Sequence, residues 1–334
     1  MKRSASFISK DLIARTRPFA TQDSARTWWH IASTLGVLAA AATVAAAAPW
    51  WPLRILGGLV EALVIVRTFI LYHDFMHGAL LPGSHVARAL FHLQGLLMLT
   101  PARIWSDTHN YHHAHTARLT TASTGTFTTW TTGMWRVASR KQRLAYVIER
   151  HPLTLLCGYF TVFLLSQCLV PFVRDPRRYW ASGLALLVHV ALSIALWTLF
   201  GPAIYLSAFL GPLFVAYAVG VYLFYAQHNF PDVALRPEEE WTHADSALEA
   251  SSYLACGPLL TWFTGNIGYH HVHHLNPRIP FYRLPEAMAA IPELQRPHVT
   301  TLRPRDVLAC LRQNLWDPDQ RRMVHYREAS GLVG

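Results

Sequence analysis

PLTLLCGYFTVFLLSQCLVPFV, residues Pro152–Val173, is the stretch on which the fold turns. A bilayer crossing needs about 20 apolar residues, and by length this run has them. Its flanks argue otherwise. Arg136, Arg140, Lys141, Arg143 and Arg150 precede it, and Arg174, Arg177 and Arg178 follow at once. Lys and Arg collect on the cytoplasmic side of membrane segments, so both ends belong on one side and the run is expected to be interfacial or re-entrant. Four other runs are long enough to span: Ile31–Trp50, Ile55–Tyr72, Trp180–Phe200 and Ala203–Ala226, the last two joined by an uncharged Gly201-Pro202 turn. Leu90–Leu99 is too short to cross. Parity gives the same count. Histidines near residue 110 and near residue 270 can meet only across an even number of crossings, and Trp180–Phe200 with Ala203–Ala226 supplies two.

Composition points the same way. Of 334 residues, 52% are hydrophobic and 14% charged, against about 25% charged in a soluble domain. The net charge of +10 suits cytoplasmic loops and gives no reason to invoke nucleic acid. The four cysteines (Cys157, Cys168, Cys256 and Cys310) form no C-x-x-C pair and read as reduced, small apolar residues facing a cytoplasmic compartment. The first 29 residues carry Lys2, Arg3, Lys10, Arg15, Arg17 and Arg26 without the apolar core of a signal peptide. The expected fold is all-α: four transmembrane helices in two hairpins plus an interfacial helix, with a helical cytoplasmic cap. Residues 1–29 are expected to form a cytoplasmic N-terminal segment, 30–290 the membrane domain and 291–334 a cytoplasmic tail.

Histidine is the unusual residue. There are 19, as many as Asp and Glu together, and most of the informative ones fall in three clusters beside membrane boundaries. In HDFMH, His73 and His77 are four apart and share a helix face. In HNYHHAH, His109, His112 and His113 fan over one face. In HHVHH, the helical wheel accepts either His270, His273 and His274 or His270, His271 and His274; the H-x-x-H-H register of the second cluster favours the former and leaves His271 spare. So many imidazoles in helical register predict metal binding. A single zinc takes four ligands at most, so the number fits two metals in a nearly all-imidazole site. H-D-x-x-H resembles a zinc peptidase motif, but Asp replaces its general base and the other clusters go unused. Asp74 and Asp107 are candidates for orienting imidazole N–H groups, His115 for a supporting position, and Asn266 for capping the third helix or polarising a metal-bound water. His189, in mid-span, reads as a packed neutral histidine. Trp50, Trp51, Trp180 and Trp197 read as interface anchors.

HDFMHG, LTPARIWSDTHNYHHAHT, YAQHNF and WFTGNIGYHHVHHLNPRIPFYRL, in that order, resemble the integral-membrane fatty acid desaturase family. The bacterial and cyanobacterial acyl-lipid omega-6 (delta-12) branch is the most similar, over residues 30–290. The resemblance implies two non-haem iron ions, dioxygen as co-substrate, and removal of two hydrogens from adjacent methylenes of a lipid-linked acyl chain. It also implies a place in a bacterial inner membrane with the active site on the cytoplasmic face. The implied ligands are His73 and His77; His109, His112 and His113; His228; and His270, His273 and His274. Arg67 matches an arginine the family has before the first box; snorkelling to the interface is the alternative. The chain has Phe75, Met76 and Ala79 where the family usually reads HDC-x-HGS, and the stretch TTASTGTFTTWTT is blander than its counterpart. A hydroxylase of fatty acyl, carotenoid or sterol substrates is the alternative on the same scaffold. With no H-P-G-G haem motif and no G-x-G-x-x-G fingerprint, electrons are expected from a separate ferredoxin- or cytochrome-type donor.

Overall fold

The computed structural model describes residues 10–119 and 127–331; Lys2, Arg3 and most of the bland stretch after the second cluster lie outside them. The chain is mostly helical. Helix α1 (Ser24–Ala47) begins seven residues before the expected span because Asp23 caps it, its carboxylate accepting the Arg26 N–H at 2.8 Å. A short Ala48–Trp50 turn leads into α2 (Trp51–Met76), and the two helices pack along their length. The Ala-rich half of α1 permits this closeness: small side chains let helix backbones approach in an apolar environment. Then follow α3 (His85–Leu97), α4 (Ala102–His115) and α5 (Arg140–Glu149).

The next long apolar element, Trp180–His228, runs for 49 residues. A straight helix of that length would measure about 74 Å, more than twice the thickness of a hydrocarbon core. It is not straight. Gly201 adopts φ 79°, ψ 169°, a conformation essentially restricted to glycine, and Pro202 follows. The break separates α6 (Trp180–Tyr205) from a π-helical stretch at Leu206–Leu210 and α7 (Gly211–His228). The halves fold back on each other, so that the rings of His189 and Phe209 lie 5.6 Å apart. By length and composition, three helices among the described residues can cross a membrane: α1, α2 and this broken one.

The Pro152–Val173 run divides into a short helix (Pro152–Leu156), an 11-residue π-helix (Tyr159–Leu169) and a last turn to Arg174. Both ends lie level with the histidines. Arg150, just before it, holds Asn229 beside His228, and Arg178, just after it, pairs with Asp107 on α4 at 2.7 Å. Its middle sits deeper: Tyr159 meets His189 at 2.5 Å, and Phe163 stacks on Tyr217 at 3.9 Å, about 16 Å down α7 from His228. The run goes in and comes back.

Beyond α7 lie α8 (His243–Glu249), α9 (His270–Leu275) and two small sheets. Tyr253–Ala255 pairs in parallel with Val299–Thr301; Leu315–Asp317 pairs with Trp130–Thr131 and with Arg322–Val324. Residues 299–324 are thus built into the cap, and Asn229 binds the Cys310 carbonyl at 2.6 Å. Strands of two or three residues carry no readable periodicity, so the helical cap expected from sequence lacked them.

Candidate metal centre

Each cluster sits where its helix must end or turn. Helix α2 stops at His77 because Gly78 takes φ 71°, with Gly78 N–H donating to the Phe75 carbonyl and Ala79 N–H to that of Asp74, both at 2.9 Å. The glycine of HDFMHG therefore leaves His73 and His77 on the last turn, facing the cap. His109, His112 and His113 lie on one face of α4, His228 ends α7, and α9 is little more than the HHVHH turn itself, ended before Pro277.

The structure gathers these nine side chains into two adjoining groups. His73, His77, His109, His113 and His273 form one; His112, His228, His270 and His274 form the other. In the first, Nε2 atoms approach at 3.1 Å between His73 and His109, His109 and His113, and His113 and His273. In the second, His228 Nε2 lies 3.0 Å from that of His112 and 2.8 Å from that of His270.

Protons are kept on the outer nitrogens where partners exist. His73 Nδ1 donates to the Asp74 carboxylate at 3.0 Å, and His228 Nδ1 donates to the Ala250 carbonyl at 2.8 Å. A neutral imidazole has one N–H, so the Nε2 lone pairs of both point inward. Burial, with the neighbouring imidazoles adding to it, holds His109, His112, His113, His270, His273 and His274 well below the ordinary histidine pKa. The Nε2 atoms of His77 and His274 are buried with no hydrogen-bond partner. Buried polar nitrogens that only face other nitrogens are costly unless something electrophilic sits between them. Neutral, converging imidazoles fit two transition-metal ions such as iron.

The other candidates divide. Asp74, 1% exposed, touches His73 and also accepts the Phe281 N–H at 2.6 Å, tying the first cluster to the loop after the third. Asp107 is a correction. Its carboxylate binds Arg178, Arg103 and Tyr179 and no imidazole, because it faces outward toward the start of α6. His115 is another: it stacks on Tyr111 at 3.8 Å and donates to that residue's carbonyl, away from both groups. Asn266 caps no helix; it occupies the left-handed region (φ 56°) and its amide donates to the Phe281 carbonyl. His271 points away, Nε2 donating to the Leu294 carbonyl at 3.1 Å. Arg67 is 2% exposed and turned inward, toward Thr34, the Trp262 carbonyl and the Trp262 ring, which excludes snorkelling.

Sequence reasoning missed three supports. Trp105 stacks on His109 at 4.4 Å; its i−4 spacing on α4 was the available signal. Gln227, beside His228, donates to the Ile267 carbonyl at 2.9 Å and pins the third loop. The Ala250 carbonyl is backbone and left no signal at all.

A cavity of about 440 Å³ opens from the histidines. His73, His109 and His270 stand at one end, so it touches both groups; Ile65, Val66, Phe163, Ala216 and Tyr217 line its deepest part. Further down, α2 meets the π-helical stretch directly: a Cβ on Gly58 would lie 2.7 Å from the Ser207 carbonyl.

Long apolar helices that bring two groups of imidazoles together define a membrane protein with a buried histidine cluster able to hold metal ions. Comparison with known proteins gives the class its chemistry. The fatty acid desaturase family model matches residues 48–306, and the chain belongs to that family. A fatty acid desaturase of Bacillus subtilis is 34% identical over 271 residues, 80% of this chain and 76% of the relative. An sn-1 oleoyl-lipid 12-desaturase of Synechocystis is 23% identical over 81% of this chain and 77% of the relative, and one of Anabaena variabilis 26% over 74% and 71%. The chain is a membrane fatty acid desaturase, an oxidoreductase of lipid metabolism.

Proposed function

We propose that two iron ions bind here, one held by His73, His77, His109, His113 and His273 and the other by His112, His228, His270 and His274, and that the enzyme desaturates acyl chains of membrane lipids. The division of nine converging imidazoles into five and four carries this reading. When bound, the irons supply the activation of dioxygen: one dioxygen, two electrons and two protons take two hydrogens from adjacent methylenes, leaving a double bond and two waters. The side chains do the rest. Asp74 and the Ala250 carbonyl hold the outer protons of His73 and His228, which fixes tautomer and ring orientation. Trp105 and Phe224 pack against His109 and His112 and keep water from the reacting end. The apolar walls hold the chain straight past both groups, trading its freedom for position.

In this reading α1, α2, α6 and α7 cross the bilayer as two hairpins, Pro152–Val173 dips in and returns, and the cap faces the cytoplasm of a bacterial cell. The Arg-rich flanks of that dip support the orientation, and they suit a separate acidic donor of ferredoxin or cytochrome type. The relatives named for lipid-bound oleoyl groups support an acyl-lipid substrate.

The test is expression in a host making only saturated and monounsaturated lipids, followed by acyl-chain mass spectrometry. A new double bond is expected. Unchanged lipids from iron-loaded protein would refute the substrate assignment, and a hydroxylated product would make the enzyme a hydroxylase.

A further inference from the structure

The cavity has a polar flank that the chemistry at the histidines leaves unused. It is built by the returning run: Thr154, Thr161, Ser166 and Gln167 line the space opposite α2 and α7. These residues are linked. The Ser166 hydroxyl donates to the Thr161 carbonyl at 3.0 Å, and the Thr161 hydroxyl to the Thr154 carbonyl at 2.9 Å. The π-helical pitch of Tyr159–Leu169 puts Thr161 and Ser166, five apart, on one face.

Ser166 lines the cavity and is at the same time exposed on the outside. Its neighbours there are Leu165 and Leu169, exposed by 44% and 42%. An exposed, cavity-lining Ser166 between exposed Leu165 and Leu169 marks the place where the wall can open sideways onto an apolar surface. Gln167, next to the opening, has its side-chain oxygen buried with no hydrogen-bond partner. The Gln167 backbone accepts the Ser182 hydroxyl at 3.0 Å, only four residues from Arg178, so the opening lies close to the level of the histidine groups. An amide turned about its last bond presents its N–H2 where its oxygen stood.

We infer that this opening is a lateral portal through which the acyl chain of an intact membrane lipid enters from the bilayer, its ester carbonyl resting on Gln167 and Ser166. The inference rests on the desaturase reading of the histidine site. A chain carried as a thioester on a water-soluble carrier would have to arrive from the aqueous side, where this opening does not face.

The test uses the full-length, iron-loaded protein in lipid nanodiscs. Ser166→Trp fills the opening, and Leu165→Trp adds the same bulk one residue away, outside the cavity. Ser166→Trp is expected to keep its iron and melting temperature while producing at least about tenfold less unsaturated lipid, because the chain no longer reaches its reactive position. Leu165→Trp should stay within about twofold of wild type, as exposed substitutions usually do. Gln167→Leu should raise KM for intact lipid and leave kcat nearly unchanged, the signature of lost ground-state binding. A phospholipid with a photoreactive group beside its ester should label residues 159–169 in wild type and not in Ser166→Trp; this readout needs no turnover. Absence of that label, or full activity of Ser166→Trp, overturns the portal. A wild-type protein that is labelled but makes no double bond overturns the desaturase reading instead.

Discussion

Replacing Asp74 by asparagine isolates what one buried carboxylate does for the metal centre. Asp74 accepts two N–H groups, from His73 Nδ1 at 3.0 Å and from Phe281 at 2.6 Å. Asparagine has nearly the same shape but only one carbonyl oxygen, so one of the two donors must face an amide N–H2. Phe281 N–H is backbone and fixed, which leaves His73 as the loser. A buried donor without an acceptor costs about 1–3 kcal/mol, or about 5- to 150-fold at 1.4 kcal/mol per decade. The lost bond also frees His73 to carry its proton on Nε2, toward the metal, and partners of this kind are worth about 10- to 100-fold in metal affinity. The first route lowers the stability of the fold, and the second, taken when the proton moves to Nε2, lowers iron affinity by about one to two decades. The assay is iron per chain after competition with a graded chelator, alongside a melting curve to show that Asp74→Asn still folds. Wild-type iron affinity in a folded Asp74→Asn protein would refute the reasoning.

Other outcomes follow from the same geometry. His273→Ala should lose both iron and product, whereas His271→Ala, which removes only the bond to the Leu294 carbonyl, should keep much of its iron; metal analysis and lipid profiling distinguish them. Gly201→Ala forces a side chain into a glycine-only conformation and should destabilise by about 1–3 kcal/mol, read as a lower melting temperature in detergent with the iron content of the surviving fold unchanged. In metal-free protein, acidification should destabilise. The unfolded chain takes up protons at its histidines below about pH 6.5, while burial keeps the six cap imidazoles neutral in the fold. Stability is therefore full above that pH and falls below it; a melting temperature that does not drop between pH 7.5 and 5.5 would contradict the neutral cage.

Eight of the nine histidines could be read from helical spacing, with the register of HNYHH favouring one choice within HHVHH; His228 stands alone in sequence and came only from the family resemblance. Pro152–Val173 was set apart by its flanking charges, not its apolarity, and both its ends do lie beside the histidine groups, through Arg150 and Arg178. What could not be read was anything set by partners far along the chain. Asp107 looked like a support for an imidazole because it stands two residues before His109, yet Arg178, 71 positions away, claims it. His115 shares a helix with three clustered histidines and still faces Tyr111. The ends of α1 and α2 overran the apolar runs because caps, Asp23 in one and Gly78 in the other, decide where a helix stops. The Ala250 carbonyl that orients His228 belongs to the backbone and has no residue signature.

Metal stoichiometry tests the central claim most directly. Purified, reconstituted protein should hold two iron ions per chain, both with nitrogen-dominated shells by X-ray absorption, and His228→Ala should remove one binding site while leaving the other. One metal ion per chain, or zinc in place of iron in protein that is active in cells, would contradict it.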